Sequence, residues 1–434
     1  MPKILAINGG KPVRTEPFPP HNTIGAEEKA AVNRVLDTGV LSRYIGAWGP
    51  EFYGGREVQA FEQEWAAYFG VKHAIAVNSC TTGLQTALGA AGIGPGDEVI
   101  VSPYTMSASA TAPLWYGAIP VFADIEEYFC LDPKSVEERI TEHTRAIVVV
   151  DLFGQPYDAD AINAIAKKHN LIVIEDCAQA PGARYKDKFA GTLGDIGVYS
   201  LNFHKHIHTG EGGVIVTDND ELAERCRLIR NHAEAAVGAG GITDLTNMVG
   251  SNFRLTEIQA AIGRAQLAKL EELIAQRVRN CEYLNAAISG IPGICRTRTR
   301  PGSTHVYYQQ ALLFDEKAFG ASRARFIEAL KAELPTRGLA GHEGPLISAG
   351  YVKPLYLEPL FQKKVAIGRD GFPFTSPHYR GAVNYEKGIC PVAERMHERE
   401  LIIHELMRPP LSTQDLDDVA RAFHKVYEHR SELV

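Results

Sequence analysis

Short unbroken runs of Val, Ile and Ala alternate along this chain with segments whose apolar residues recur every three to four positions, and that alternation sets the expected fold. HAIAVNS (73–79), DEVIVSP (97–103), IPVFADI (119–125), RAIVVVDLFG (145–154) and LIVIEDC (171–177) predict buried strands. Between them, TTGLQTALGAAG (81–92), the middle of TMSASATAPLWYG, PKSVEERI and DADAINAIAKKHN read as helices. Strands that are apolar on both faces and joined through helices belong to a mostly parallel sheet covered on each side. DIGVYSLN and GGVIVTD extend that sheet. Ahead of it, EEKAAVNRVLDTG and REVQAFEQEWAAYFG predict amphipathic helices, each stopping at a glycine.

From about residue 220 the pattern turns helical, first in ELAERCRLIRNHAE. RLTEIQAAIGRAQLAKLEELIAQRVRNCEYLNAAI then reads as one helical stretch long enough to link two domains. Beyond Pro292 a β-like segment, THVYYQQALLFD, alternates with helices and the chain ends in an amphipathic one. The expected fold class is α/β. A Gly- and Pro-rich extended segment (1–24) precedes a large domain (25–280) with a mostly parallel central sheet, and a smaller α+β domain (281–434) follows.

Composition narrows the function classes. With 45% hydrophobic and 22% charged residues, a chain of 434 has material for a large core. A net charge of −7 and the absence of any basic run exclude a surface built for nucleic acid or an anionic membrane. No apolar stretch approaches the roughly 18 residues that cross a bilayer, and the opening MPKILAINGGKPVRTEPFPP lacks a leader's apolar region. A cytoplasmic protein is expected. Seven dispersed cysteines without a C-x-x-C pair argue against a disulfide framework or a structural zinc site.

Three places carry candidate chemistry. Asn78-Ser79-Cys80-Thr81-Thr82-Gly83 runs from a strand into a helix, where small residues and the helix dipole suit an anion; ordinary capping explains the same residues. Asp176 ends a strongly apolar strand, where a carboxylate needs a partner. A protonated pyridine nitrogen is one such partner, and a helix-capping role is the other reading. In YSLNFHKHIHTGEGG (199–213), Lys205 sits before a glycine-rich turn, and a lysine enclosed there suits Schiff-base chemistry. His204, His206 and His208 alternate as on one strand face, which admits a metal site or a polar pocket lining.

Together and in order, N-S-x-T-T-G, E-D-x-A-Q-A and a lysine followed by T-G-E-G-G resemble the DegT/DnrJ/EryC1/StrS family of pyridoxal-phosphate (PLP) aminotransferases. PGDEVIVSPYT, GAIPVFADI, GTLGDIGVYS and GSNFRLTEIQAAIG extend the resemblance, which runs from INGGKPVRTEPFPP to the last helix. It implies the aspartate-aminotransferase-like fold type I. It also implies Lys205 as the Schiff-base lysine, Asp176 as partner of the pyridine nitrogen and Gln179 as a hydrogen-bond partner of the cofactor's 3′ oxygen. Cys80, Thr81 and Ser200 match phosphate-holding positions, with Thr82 in the same loop. Asn252 matches an asparagine that reaches the phosphate from the neighbouring subunit of a homodimer with a shared active site. His305 and Tyr356 fall in substrate-side segments.

Two departures from the family pattern stand out. Met106 occupies the position of an aromatic residue stacked on the ring, a role that Tyr104 could also take, and GAWGPEFYGG (46–55) is longer than the usual turn. That loop reads either as a substrate contact or as plain surface. The implied reaction moves an amino group from glutamate or glutamine to a keto-sugar, usually nucleotide-linked. The alternatives are a cyclitol ketone, sugar dehydration (against which Lys205 counts), a non-catalytic regulator, and a metal-dependent enzyme using the histidines.

Overall fold

The computed structural model describes residues 4–335 and 347–434. Its larger sheet holds β1 (His73–Val77), β2 (Glu98–Val101), β3 (Ile119–Phe122), β4 (Thr144–Val150) and β5 (Ile172–Asp176). After a small ribbon, β6 (Arg184–Tyr185) with β7 (Lys188–Phe189), the sheet gains β8 (Ile196–Ser200) and β9 (Gly213–Thr217). The order is β1-β9-β8-β5-β4-β2-β3, and only β9 opposes its neighbours. In register, Val150 on β4 pairs with Asp176 on β5, which pairs with Val198 on β8. The carboxyl ends of these strands therefore share one edge, where open α/β sheets take their ligands.

Strand side chains such as Ile75, Val101, Val148, Ile174 and Val198 are fully buried, and removing them from water is the main force holding the sheet to its helices. Helix α1 (Ala26–Thr38) and α2 (Arg56–Phe69) precede β1, and α3 (Cys80–Ala90) follows it at once. Helix α3 lies close on the sheet because residue 83 is glycine: a Cβ there would meet the Val198 side chain at 2.6 Å. A second sheet of four antiparallel strands, β10 (Ile294–Arg296), β11 (Gln310–Phe314), β12 (Ile347–Ala349) and β13 (Leu401–His404), has the order β10-β11-β13-β12. Its core joins Phe314, Phe326, Ile402 and Phe423 with Leu5 and Phe18 from the opening segment. None of the described helices is long and apolar enough to cross a membrane.

The structure differs from the sequence reading in three places. The long helical stretch is two helices, Glu257–Leu267 and Leu270–Ala287. The break falls where Gln266 and Lys269 turn to the buried Glu28, at 2.8 Å each. In THVYYQQALLFD only Gln310–Phe314 is strand. The preceding residues are drawn onto the turn after β4, Val306 N–H donating to Gly154 O and Tyr308 N–H to Phe153 O, both at 2.8 Å. Lastly, Tyr356, Phe361, Tyr385 and Met396 pack into the core of the larger sheet rather than with the smaller one.

Two carboxyl groups are enclosed side by side beneath the β4–β5 edge. Glu175 accepts from the N–H groups of Gly191 (2.5 Å), Leu193 (3.0 Å) and Gly194 (3.3 Å), so it is the member equipped to hold a charge. Burial and the Glu175 charge push Asp151 well above the usual carboxylate range, so it keeps its proton. Its Oδ1 accepts from Tyr157 N–H at 2.9 Å. Because the folded form binds a proton that the unfolded chain releases above pH ~3.9, this contribution to stability falls as pH rises, by up to ~1.4 kcal/mol per unit. Asp151→Asn is expected to gain stability over the wild type between pH 5 and pH 8. Urea midpoints at the two pH values measure it, and an unchanged difference would mean that Asp151 holds no such proton.

Candidate active site

A cavity of about 180 Å³ opens at the shared strand edge. Each wall comes from the loop just beyond a strand: Cys80 and Thr81 after β1, Met106 after β2, Val150 at the end of β4, Asp176 and Gln179 at β5, and Ser200 and Lys205 at β8.

The floor is Asp176. Its Oδ2 accepts from the Ser109 hydroxyl at 2.6 Å and its Oδ1 from Ala178 N–H at 3.2 Å, which fixes the carboxyl plane. Burial nevertheless raises its proton affinity above the ordinary carboxylate value, against the opposing pull of those donors and of Lys205. A buried carboxylate with surplus basicity is suited to a cationic or proton-sharing partner. Cys80 is inert beside it, because burial first and the Asp176 charge second drive its thiol far up.

One end of the cavity is the amino terminus of α3. Ser79 caps it through Thr82 N–H at 3.1 Å, and the N–H groups of Cys80 and Thr81, in the first turn, have no acceptor within the helix. Both residues line the cavity, at the positive end of the helix dipole. Gly213 makes this approach possible: a Cβ there would lie 2.7 Å from the Ser79 carbonyl carbon and 2.8 Å from Cys80 N. Ser200 adds a hydroxyl from the end of β8.

Lys205 also lines the cavity and is buried, its Nζ 4.2 Å from the centre of the Tyr308 ring. The ring face is the contact that holds Nζ in place. Beside it, His204 is held neutral down to a pH of about 4, by desolvation first and then by the charges of Lys205 and Arg408. It adds no second cation to the cavity at neutral pH.

Of the residues singled out from sequence, Cys80, Thr81, Met106, Asp176, Gln179, Ser200 and Lys205 line this one cavity. Thr82 does not. Its hydroxyl is turned to Asn78 Oδ1 at 2.7 Å, which makes it part of the cap. Tyr356 is also elsewhere, fully buried in the core with its hydroxyl on Glu394. His305 stacks on Tyr307 with ring centres 4.0 Å apart and does not line the cavity. Asn252 is exposed, away from this chain's own cavity. Met106 covers one side, whereas Tyr104 is buried behind it and accepts Tyr351 N–H at 2.8 Å.

None of residues 46–55 reaches the cavity; Phe52 is core and Trp48 packs against it, with ring centres 5.5 Å apart. The three histidines lie on a turn rather than a strand, so they do not share a face, and His206 is committed to Val306 O at 2.8 Å. Among the described residues no group of three or more His, Cys, Asp or Glu is placed to hold a metal. Sequence reasoning missed Ser109, Tyr308 and Tyr351, which support Asp176, Lys205 and Gln179 respectively.

Residues 22–424 match the profile of the DegT/DnrJ/EryC1/StrS aminotransferase family. An L-glutamine:2-deoxy-scyllo-inosose aminotransferase of Streptoalloteichus tenebrarius is 35% identical over 451 aligned residues, covering 100% of both chains. The spore coat polysaccharide biosynthesis protein SpsC of Bacillus subtilis is 35% identical over 92% of this chain and 94% of that one. Among solved structures, an aminotransferase from Psychrobacter cryohalolentis superposes with a TM-score of 0.78 at 31% identity, covering 95% of this chain and 99% of that one.

Proposed function

The chain belongs to the DegT/DnrJ/EryC1/StrS aminotransferase family, and on that premise we propose that it moves an amino group from glutamine or glutamate to a ketone carbon of a sugar or cyclitol, using PLP held in the cavity around Lys205. The observation that carries the reading is the convergence of a buried lysine, a buried carboxylate and a helix amino terminus on one enclosed space. These fit three of the polar parts of PLP: its aldehyde, its ring nitrogen and its phosphate.

When bound, PLP supplies a conjugated ring that takes up the electron pair left when a proton departs the donor's α carbon. The rest is done by the chain's own groups. Cys80 and Thr81 N–H, with the Ser200 hydroxyl, hold the phosphate at the dipole's positive end. Asp176, oriented by Ser109 and Ala178, keeps a proton on the ring nitrogen. Met106, on the cavity wall, would cover a ring face with its polarizable thioether. Lys205 Nζ would hold the aldehyde carbon as an imine, with loss of water, and, when the donor's amine takes its place, the freed amine would take the proton from the donor's α carbon and, in the second half-reaction, give one to the carbon that becomes the amine. Asn252 is exposed, and in a homodimer with a shared active site it would be free to reach the phosphate held by a partner subunit.

Similarity along the whole chain to a scyllo-inosose aminotransferase favours a cyclitol ketone as the first acceptor to test, ahead of a nucleotide-linked keto-sugar. The purified protein with PLP, incubated with L-glutamine or L-glutamate and each type of ketone, is expected to give the amine with one of them, read by mass spectrometry. Failure with every pair, in protein that binds PLP, would overturn the sugar or cyclitol assignment.

A further inference from the structure

Gln179 has an amide whose orientation the structure decides. Its Oε1 accepts the backbone N–H of Phe153 at 2.8 Å, a group that can only donate, so the other end of the amide must be Nε2. That Nε2 donates to the Tyr351 hydroxyl at 3.0 Å. Both ends are thus anchored, and the remaining N–H is the group left for the cavity that Gln179 lines. Phe153 is itself held at φ +59°, a left-handed conformation that a non-glycine residue keeps only when its surroundings enforce it. The Tyr351 ring packs edge-on against the Phe153 ring, with centres 5.4 Å apart.

Tyr351 comes from the other sheet, two residues beyond β12, and is tied down on both sides. Its N–H donates to the Tyr104 hydroxyl at 2.8 Å, and nearby Leu355 N–H donates to Pro103 O at 2.8 Å. We propose that Tyr351 is a positioning residue, which locks the Gln179 amide with an N–H turned to the cavity so that the ring oxygen of bound PLP meets a fixed hydrogen-bond donor. A fixed donor favours that oxygen without its proton, and so sets the pH at which the bound cofactor changes protonation state. Burial keeps the Tyr351 hydroxyl protonated, so it accepts from Gln179 and still has its own proton to give.

This inference rests on PLP binding in the cavity, and its test separates the two. The visible absorbance of the PLP-loaded protein is titrated with pH for the wild type, Tyr351→Phe, Gln179→Ala and the double variant, with PLP affinity measured alongside. Tyr351→Phe is expected to raise the titration midpoint by about one pH unit, tenfold in proton affinity. It should add nothing in the Gln179→Ala background, because the two residues act as one unit. An unchanged midpoint in Tyr351→Phe, or equal shifts in both backgrounds, would overturn the proposal. A wild type that binds no PLP would instead overturn the functional reading. If Tyr351→Phe does not fold, Tyr351→His, which retains an acceptor for Gln179, should keep the wild-type midpoint; a shift of a full unit would count against the lock.

Discussion

Lys205→Ala is expected to lower the rate of amine transfer on the order of 10⁴-fold, the upper range for removing a positioned acid–base group. The loss belongs in kcat rather than in folding. The contact given up by Nζ is the face of the Tyr308 ring at 4.2 Å. Lys205 N–H donates to Asn202 O at 2.9 Å through the backbone, and alanine keeps that bond. Single-turnover conversion of the donor to its keto acid, with PLP supplied in excess, measures the effect. A rate within tenfold of the wild type would assign proton transfer to some other group, with His204 the nearest candidate on the cavity wall.

Asp176→Asn should be the next most damaging change, with a loss of about 10²–10³-fold in kcat. Asparagine has the same shape: its Oδ1 can still accept from Ala178 N–H, and its Nδ2 can donate to the Ser109 hydroxyl, so packing is preserved while the negative charge is removed. What disappears is the group that keeps a cation on the floor of the cavity. The buried carboxylate already has a raised proton affinity, so a cationic partner lowers its free energy as well as its pKa. Ser109→Ala is a control: it frees one carboxylate oxygen but leaves the charge, and a loss of only about tenfold is expected. Steady-state kcat and KM for the donor separate the two. Equal losses for Asp176→Asn and Ser109→Ala would show that orientation, not charge, is what Asp176 contributes.

The residues of the cavity were legible in the sequence where they sit at a strand end. Asp176 ends a strongly apolar strand and Lys205 precedes a glycine-rich turn, places where a charged side chain needs a partner, and that conflict marks them. Helix α3 followed from the same logic. What stayed hidden came from distant parts of the chain. Ser109 and Tyr351 reach the site by tertiary packing alone, 67 residues from Asp176 and 172 from Gln179. No local spacing announces such a contact.

The errors have physical causes as well. Thr82 looked like an anion ligand because caps and anion cradles use the same hydroxyls, and here the cap took it. The alternation of His204, His206 and His208 suggested a strand, yet the chain turns between Phe203 and Ile207 to bring Lys205 under Tyr308. Tyr356 lies in a segment that packs on the larger sheet, a placement that hydrophobic pattern alone does not distinguish from packing on the smaller one.

The central claim is that PLP is held covalently at Lys205, and reductive trapping tests it most directly. The purified protein is incubated with PLP, treated with borohydride, digested and analysed by mass spectrometry. A pyridoxyl group on the peptide containing Lys205, absent from the Lys205→Ala protein, is the result expected. No modification, or modification confined to other lysines, would contradict the account.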